Sequence, residues 1–134
     1  MITVLLADDH AMVRDGLRYI LEAAGDIQVV AQASNGKEAV AAARNNCPDI
    51  AVIDISMPVM DGIEATKQIL KVCSHTRIVT LSMYHTGEYV QRALRAGASG
   101  YVLKDSAGNE LVEAVRSLYA GGRYFSPQVA RYSY

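Results

Sequence analysis

The segment Ile50-Ala-Val-Ile-Asp54, continued by Ile55-Ser-Met-Pro-Val-Met-Asp-Gly62, decides how the rest of the chain is interpreted. Four apolar residues before Asp54 predict a buried strand, and the proline and glycine that follow predict a loop at its end. An aspartate in that place is held by a rigid strand while its carboxylate stays open to solvent. This placement suits a reactive or metal-binding group better than a structural one.

Apolar runs on either side of this segment predict four more strands, separated by stretches of helical periodicity. We place strands at 2–7, 27–33, 50–54, 77–82 and 100–104, and helices at about 13–24, 37–44, 63–72, 86–96 and 107–120. Alternating strands and helices with short connections imply parallel strands, right-handed crossovers and helices on both sheet faces. The sequence therefore predicts one doubly wound α/β domain.

Length, charge and cysteine content restrict the class of protein. The chain has 134 residues and a formal net charge of −1, enough for one domain but without the basic excess of a nucleic-acid binder. The N-terminus lacks a signal-peptide pattern, and no apolar run approaches the ~18 residues of a membrane span. Cys47 and Cys73 match no metal-binding spacing. We expect free thiols rather than a bridge, which favours a cytoplasmic location.

Polar residues follow the predicted strands at the ends where parallel sheets bind ligands. The first strand is followed by Asp8 and Asp9, the third ends in Asp54, the fourth in Ser82 and the fifth in Lys104. We expect these side chains to meet in one pocket at the carboxyl edge of the sheet. Carboxylates so close together raise one another's pKa, and Mg²⁺ with oxygen ligands would relieve their repulsion.

An acidic pocket with one lysine and one hydroxyl suits phosphoryl transfer onto a carboxylate. Aspartate is a competent nucleophile toward phosphorus and forms an acyl phosphate. The ammonium would neutralise one phosphoryl oxygen, and the hydroxyl would donate a hydrogen bond to another. The histidines lie in separate loops and do not form a zinc-binding set. Taken singly, Asp8 and Asp9 could instead cap the helix that follows, and Lys104 could be a solvated charge.

Together these motifs resemble the receiver domain of a bacterial two-component response regulator, over residues 2 to about 121. The motifs are Asp8-Asp9, Asp54-Ile-Ser-Met-Pro-Val-Met-Asp-Gly62, Ser82 and Gly100-Tyr-Val-Leu-Lys104. Segments that resemble the NarL/LuxR-type subfamily are Ala7-Asp-Asp-His10, Arg95-Ala-Gly-Ala-Ser-Gly-Tyr-Val-Leu-Lys-Asp105 and Gly122-Arg-Tyr-Phe-Ser-Pro127. The resemblance implies a five-stranded parallel sheet of order 2-1-3-4-5 with five helices, similar to CheY and flavodoxin.

The resemblance also implies a role for each site residue. Asp54 would accept a phosphoryl group from the phosphohistidine of a sensor histidine kinase, and Lys104 and Ser82 would contact the phosphoryl oxygens. The implied Mg²⁺ ligands are Asp8, Asp9, Asp54 and the backbone carbonyl of Ser56. The chain would catalyse only its own phosphorylation and dephosphorylation, so it would be a signalling protein and not an enzyme acting on other substrates.

Ser82 and Tyr101 would form a switch pair. On phosphorylation Ser82 would move toward the phosphoryl group, and the Tyr101 ring would turn into the vacated space. The added charge would bias a packing arrangement that is read at the fourth helix, fifth strand and fifth helix. On that surface we expect apolar contacts for a homodimer from Val90, Leu94, Tyr101 and Val115.

Residues 122–134 fall outside the strand–helix alternation. Ser126-Pro127 is typical of a helix start, so this tail is either frayed or the beginning of a linker. In the NarL/LuxR-type subfamily such a tail leads into a helix-turn-helix domain. We therefore assign residues 1–121 to the receiver domain and 122–134 to the start of a linker. DNA binding and transcription regulation would belong to a further domain outside this chain.

Asp105 departs from the family pattern, in which a proline with a cis peptide bond often follows the lysine. A cis bond before a non-proline residue costs ~3 kcal/mol, so the pattern does not carry that geometry over. Asp105 could compete for Lys104 or cap the last helix.

Other classes remain open from sequence alone. A phosphatase of the haloacid-dehalogenase type would need Asp-x-Asp after the first strand, where this chain has Asp8-Asp9-His10. A flavodoxin-like FMN carrier would need a Ser/Thr-rich phosphate loop at the same place. A receiver that has lost phosphorylation and acts as an adaptor is a third possibility, and the complete acidic set argues against it.

Overall fold

A computed structural model describes residues 1–134 as six strands and five α-helices. The strands are β1 Ile2–Ala7, β2 Ile27–Ala33, β3 Ile50–Asp54, β4 Arg77–Ser82, β5 Gly100–Leu103 and β6 Tyr124–Phe125. The helices are α1 Ala11–Ala23, α2 Gly36–Asn45, α3 Gly62–Val72, α4 Gly87–Ala96 and α5 Ala107–Tyr119. Two short 3-10 helices complete the structure: Lys104–Ser106 lies between β5 and α5, and Pro127–Tyr132 lies after β6. None of the helices is both long and apolar enough to cross a bilayer.

All six strands are parallel and lie in the order β2-β1-β3-β4-β5-β6. Helices α1 and α5 pack on one face of the sheet, and α2, α3 and α4 pack on the other, so two hydrophobic cores lie on either side. Every residue of β3 is buried, because this central strand is covered on both faces. The doubly wound α/β prediction is therefore confirmed.

The sixth strand was not predicted. Tyr124 and Phe125 pair with the start of β5 in parallel register, so the tail extends the sheet by one short strand. Ser126 anchors it, because its buried hydroxyl accepts a hydrogen bond from the Leu103 amide at 2.9 Å and donates one to Glu110 at 2.6 Å. The helix start predicted at Ser126-Pro127 is a 3-10 helix and not an α-helix.

The prediction of free thiols is wrong, because Cys47 and Cys73 form a disulfide. After α2 the chain passes through Cys47 into β3 and runs along this strand to the carboxyl edge of the sheet. It then returns along α3 to Cys73. That return brings the two cysteines together at the amino edge of the sheet, although 26 residues separate them in sequence. Cys47 and Cys73 therefore give no support for a cytoplasmic location.

Three of the four residues predicted to supply dimer contacts cannot do so in this conformation. Val90, Tyr101 and Val115 are fully buried inside the domain, and Leu94 is partly buried against the same core. The periodicity that defines α4 and α5 places their apolar positions against the sheet. These side chains therefore stabilise the domain itself.

Candidate functional site

Asp54 lies at the end of β3, between the ends of its neighbours β1 and β4. Only 2% of its residue surface is exposed, so the prediction that its carboxylate stays open to solvent is wrong in this conformation. Gly62 makes this arrangement possible, because a Cβ atom there would lie 2.1 Å from the carbonyl oxygen of Asp54. The Gly62 amide donates to the Ile55 carbonyl at 2.9 Å, which folds the loop back over the strand end. The loop therefore holds Asp54 in place from outside the sheet.

The same loop contains a strained residue and a helix cap. Val59 has a φ of 69°, a left-handed conformation that is rare for a β-branched residue. Asp61 ends the loop, and its Oδ1 accepts a hydrogen bond from the Glu64 amide at 2.9 Å. Asp61 therefore caps α3.

Lys104 reaches the pocket from the end of β5 and lies between two carboxylates. Its Nζ atom is 2.9 Å from Asp54 Oδ2 and 3.1 Å from Asp8 Oδ2. Burial raises the pKa of the Asp54 carboxyl; Lys104 acts in the opposite direction and the Asp8 carboxylate adds to the rise. For Lys104, burial disfavours the ammonium, but the two carboxylates outweigh burial and raise its pKa. The pocket therefore holds one cation against two nearly inaccessible carboxylates.

Asp8 is fully buried and only partly satisfied. Its Oδ1 accepts a hydrogen bond from the His10 amide at 2.8 Å, whereas its Oδ2 receives no hydrogen bond despite the nearby Lys104. The His10 ring joins the group, with Nδ1 3.2 Å from Asp9 Oδ1 and 3.4 Å from Asp8 Oδ1. A buried carboxylate oxygen without a hydrogen-bond donor is costly unless another ligand compensates for it.

The residues fit a divalent cation. Ligand atoms of Asp8, Asp9, His10 and Asp54 lie within 4.8 Å of one another. Three of these four groups offer carboxylate oxygens, the ligands that Mg²⁺ prefers. Asp8 belongs to this cluster, and its Oδ2 has only the Lys104 ammonium beside it, at 3.1 Å, so the buried carboxylate has capacity for a further ligand. The geometry is thus compatible with the predicted magnesium site.

Tyr84 connects the two residues of the predicted switch pair. Its backbone amide donates to Ser82 Oγ at 2.8 Å, and its backbone carbonyl accepts from the Tyr101 hydroxyl at 2.8 Å. Tyr101 is fully buried, and that burial raises its pKa to about 12, against an opposing effect of the Ser82 hydroxyl. The Tyr84 ring stacks on the Tyr89 ring with centroids 3.9 Å apart. Ser82 and Tyr101 are therefore coupled through one peptide segment.

Asp105 neither competes for Lys104 nor takes a cis bond. The chain has no cis peptide bonds, and Lys104 pairs with Asp8 and Asp54 instead. Residues Lys104–Ser106 form a 3-10 turn before α5, and no side chain caps α5. The family departure at Asp105 is thus accommodated by a trans backbone.

The structure brings together the predicted site residues and adds two features that were not predicted, the residue Arg14 and the connecting role of Tyr84. Asp8, Asp9, Asp54 and Lys104 share one pocket, and the Ser56 amide donates to Asp54 Oδ1 at 3.2 Å. Ser82 lies at the end of β4, the strand that pairs with β3. The first addition is Arg14, whose Nη1 donates to the Asp8 carbonyl at 2.7 Å from the first turn of α1. The second is Tyr84, whose role depends on backbone atoms that carry no sequence signal.

Comparison with known proteins agrees with this geometry. Residues 4–116 match the response regulator receiver domain family. The chain is 41% identical over 131 residues to the response regulator UvrY of Escherichia coli K12, covering 98% of this chain and 60% of UvrY. The chain thus spans less than two thirds of the curated relatives it matches.

Solved structures give the same result. A LuxR-family two-component response regulator from Aurantimonas sp. SI85-9A1 superposes with a TM-score of 0.92 at 39% identity, covering 98% of this chain and 94% of that one. The isolated REC domain of RcsB from Salmonella enterica serovar Typhimurium, solved with the phosphomimetic BeF₃⁻, gives 0.88 at 27% identity, covering 98% and 97%. RcsB has also been solved as dimers bound to DNA. Together, the fold, the pocket and these matches show that the chain belongs to the receiver-domain family of two-component response regulators and resembles its LuxR-type members.

Proposed function

We propose that this chain is a phosphorylation-dependent switch in which Asp54 accepts a phosphoryl group from the phosphohistidine of a sensor histidine kinase. The observation that carries the proposal is the contact of the strand-end Asp54 carboxylate with one ammonium, 2.9 Å from Lys104 Nζ. Lys104 side-chain exposure is 12%, so the ammonium is held at the pocket and not dispersed in solvent. This is the arrangement that phosphoryl transfer onto a carboxylate requires.

In the proposed step, a carboxylate oxygen of Asp54 forms a bond to phosphorus. The phosphorus–nitrogen bond of the phosphohistidine breaks, and its electron pair stays on the imidazole nitrogen. Lys104 then faces a phosphoryl oxygen in place of the free carboxylate, so its charge remains paired. The same residues would support later hydrolysis of the acyl phosphate, which makes the chain a self-limiting signal carrier.

Asp8, Asp9, Asp54 and the backbone carbonyl of Ser56 would hold Mg²⁺, which when bound supplies positive charge against the attacking and phosphoryl oxygens. The unsatisfied Oδ2 of Asp8 supports this assignment. Asp8 has a second task, since its Oδ1 fixes the His10 amide at the start of α1. Lys104 offsets the repulsion between the two buried carboxylates, because its ammonium lies within 3.1 Å of both.

The switch would operate through the Tyr84 peptide segment. If Ser82 turns to donate to a phosphoryl oxygen, its Oγ no longer holds the Tyr84 amide, and the carbonyl that binds Tyr101 is free to shift. Tyr101 is already buried, so we propose a change of hydrogen-bond partner and not an inward swing from the surface. The displacement would then pass along the segment between β4 and α4.

The output would be dimerisation and DNA binding of an attached domain. The chain spans 60% of the length of UvrY, which leaves room for such a domain in a longer protein. Residues 1–121 would form the receiver domain and 122–134 the start of the linker, although part of this tail pairs with β5. The RcsB dimers on DNA support the same output here. A cytoplasmic location, where the kinase domain would act, is part of the proposal.

Phosphorylation by a small donor tests the proposal without the kinase. The purified chain is incubated with acetyl phosphate and Mg²⁺, and its intact mass is measured. We expect one added phosphoryl group in the wild type and none in Asp54→Asn. Asp61→Asn is the matched control, because it neutralises a carboxylate in the same loop while asparagine still caps α3. Phosphorylation of Asp54→Asn, or none in the wild type with or without Mg²⁺, would sink the assignment.

A further inference from the structure

A second pocket lies at the amino edge of the sheet, opposite the Asp54 site. It is a cavity of about 500 Å³ at the starts of β3 and β4, with the Cys47–Cys73 disulfide in its wall. Other lining residues are Asp49, His75, Thr76, Arg77, Leu118 and Tyr119. The proposed phosphoryl chemistry uses none of them. The cavity is large enough for a small peptide and gives solvent direct access to a covalent bond that can be exchanged.

The two sulfurs differ in accessibility. Cys47 is exposed in the loop before β3, whereas Cys73 is 3% exposed beneath the end of α3. A thiolate must reach the sulfur that it attacks, so exchange is directed to Cys47, with Cys73 as the leaving group. Cys73 also has a place for the proton it gains, since its Sγ lies 3.2 Å from the Ala43 carbonyl oxygen. The arrangement thus distinguishes an attacked sulfur from a released one.

Arg77 gives the cavity a preference among thiols. Its guanidinium donates to Ser99 Oγ at 3.2 Å and to the Gly122 carbonyl at 3.3 Å, and it has no carboxylate partner. The one carboxylate in the cavity wall, Asp49, is already engaged, accepting from the Thr3 amide at 2.9 Å and the Thr3 hydroxyl at 3.1 Å. Arg77 is therefore available for a carboxylate carried by an incoming molecule.

We infer that this cavity is a thiol–disulfide exchange site for a small carboxylate-bearing thiol of the glutathione class, with Cys47 as the residue modified. The thiolate attacks Cys47 Sγ, the Cys47–Cys73 bond breaks, and the released Cys73 thiolate takes a proton from water. A second thiol attacks the mixed disulfide, leaving a Cys47 thiol and an oxidised thiol dimer. Two electrons pass from the small thiol to the protein disulfide.

The consequence concerns the segment that the disulfide closes. The covalent loop from Cys47 to Cys73 contains β3, the loop after Asp54 and all of α3. Exchange at Cys47 therefore opens the loop that carries the proposed phosphoacceptor, at the edge of the sheet farthest from it. The redox state of the small-thiol pool would therefore set the stability of the domain independently of the kinase.

The test uses the oxidised chain, glutathione, an acid quench and peptide mapping. We expect a single glutathionyl group on Cys47 and a free thiol at Cys73, and an Arg77→Met variant that reacts several-fold more slowly with glutathione but normally with 2-mercaptoethanol. The neutral thiol also reports whether Arg77→Met is folded. Adducts on Cys73, or equal slowing with both thiols, would overturn the inference.

Single-cysteine variants provide an independent check through the reverse reaction. Cys73→Ser leaves the exposed Cys47, which we expect to take up one glutathionyl group from oxidised glutathione. Cys47→Ser leaves the buried Cys73, which we expect to stay unmodified until the protein is denatured. Equal labelling of the two variants, or alkylation of both cysteines in the wild type unfolded without reductant, would contradict the assigned site.

Discussion

The two edges of the sheet are built on opposite principles. At the carboxyl edge, Asp8, Asp54 and Lys104 place three charges in a nearly inaccessible pocket and leave one carboxylate oxygen without a hydrogen bond. At the amino edge, Cys47 and Cys73 are joined covalently. The first arrangement costs folding free energy and the second supplies it. The site proposed for phosphoryl transfer therefore lies at the edge that costs folding free energy, and the disulfide lies at the edge that supplies it.

Hydrogen bonds strengthen the contrast. At the amino edge, Thr76 Oγ1 donates to the Pro48 carbonyl at 2.6 Å, and Asp49 and Thr3 exchange hydrogen bonds in both directions. Each buried polar group there has a partner within the protein. The buried polar side chains of the amino edge are therefore paired within the protein, whereas Asp8 at the carboxyl edge is not fully paired.

The largest effect should follow removal of the ammonium that lies between the two buried carboxylates. Lys104→Met leaves two buried carboxylates without a counterion, and we expect a loss of about 3 kcal/mol in the free energy of unfolding at neutral pH. Because burial already raises the Asp54 pKa, the penalty should appear as pH rises above about 4 and be absent below it. Urea denaturation at several pH values measures this.

A double variant separates charge from packing. Lys104→Met combined with Asp54→Asn removes one of the unpaired carboxylates, so most of the lost stability should return. If Lys104→Met is as stable as the wild type at neutral pH, the two buried carboxylates do not lower the free energy of unfolding. That result would contradict the contrast between the two edges.

Reduction of the disulfide should have the next largest effect. Closing a loop of 26 residues is worth about 3.5 kcal/mol in the chain-entropy account, and reduction should lower the free energy of unfolding by that amount. The Cys47→Ser/Cys73→Ser variant should show the same loss and no further response to reductant. Phosphorylation of Asp54 should persist in the reduced protein. Loss of phosphorylation on reduction would mean that the two edges are not separate in function.

Tyr101 should make the carboxyl edge sensitive to alkali. Its pKa is raised to about 12 by burial, so the stability it contributes is fully present below pH ~10 and is lost as pH rises toward 12. The loss should reach about 2.3 kcal/mol at pH 12, and Tyr101→Phe should remove it. The same variant loses the bond to Tyr84, which should cost about 1 kcal/mol at neutral pH. A variant with the wild-type alkaline profile would contradict this account.

The smallest effect should come from an exposed ion pair at the amino edge. Arg116 forms two hydrogen bonds to Asp26 at 2.9 and 3.0 Å and lowers the Asp26 pKa, yet both side chains are open to solvent. Arg116→Ala should leave the denaturation midpoint at neutral pH nearly unchanged, because solvent screens exposed pairs. A shift as large as that of Lys104→Met would show that solvent exposure does not determine how much stability a charged residue contributes.

Sequence patterns predicted the carboxyl edge better than the amino edge, for a physical reason. Asp54 and Lys104 follow apolar strands, and parallel strands bring their carboxyl ends to the same edge of the sheet. The strand patterns therefore predict a contact between two residues that are far apart in sequence. Cys47 precedes β3 and Cys73 follows α3, so the predicted elements place both at the amino edge, but they do not specify that the two sulfurs lie within bonding distance. A two-residue strand such as Tyr124–Phe125 is too short to produce alternation.

The dimer residues illustrate a conflict within the sequence reasoning. Val90 and Val115 are core positions of the helical pattern that predicted α4 and α5, so that pattern already required them to face the sheet. Tyr84 was not assigned its connecting role because backbone atoms make both bonds. The sequence therefore did not predict hydrogen bonds made by backbone atoms, such as those of Tyr84, or contacts between residues far apart in sequence, such as Cys47 and Cys73.

Chemical mapping of the phosphoryl group tests the central claim most directly. The chain is phosphorylated with acetyl phosphate and Mg²⁺, treated with borohydride to convert an aspartyl phosphate to homoserine, and digested for peptide sequencing by mass. We expect homoserine at position 54 alone, with Asp8, Asp9 and Asp61 unchanged. Homoserine at one of those three positions, or a stable phosphoryl group that borohydride does not remove, would contradict the claim that Asp54 is the phosphoacceptor.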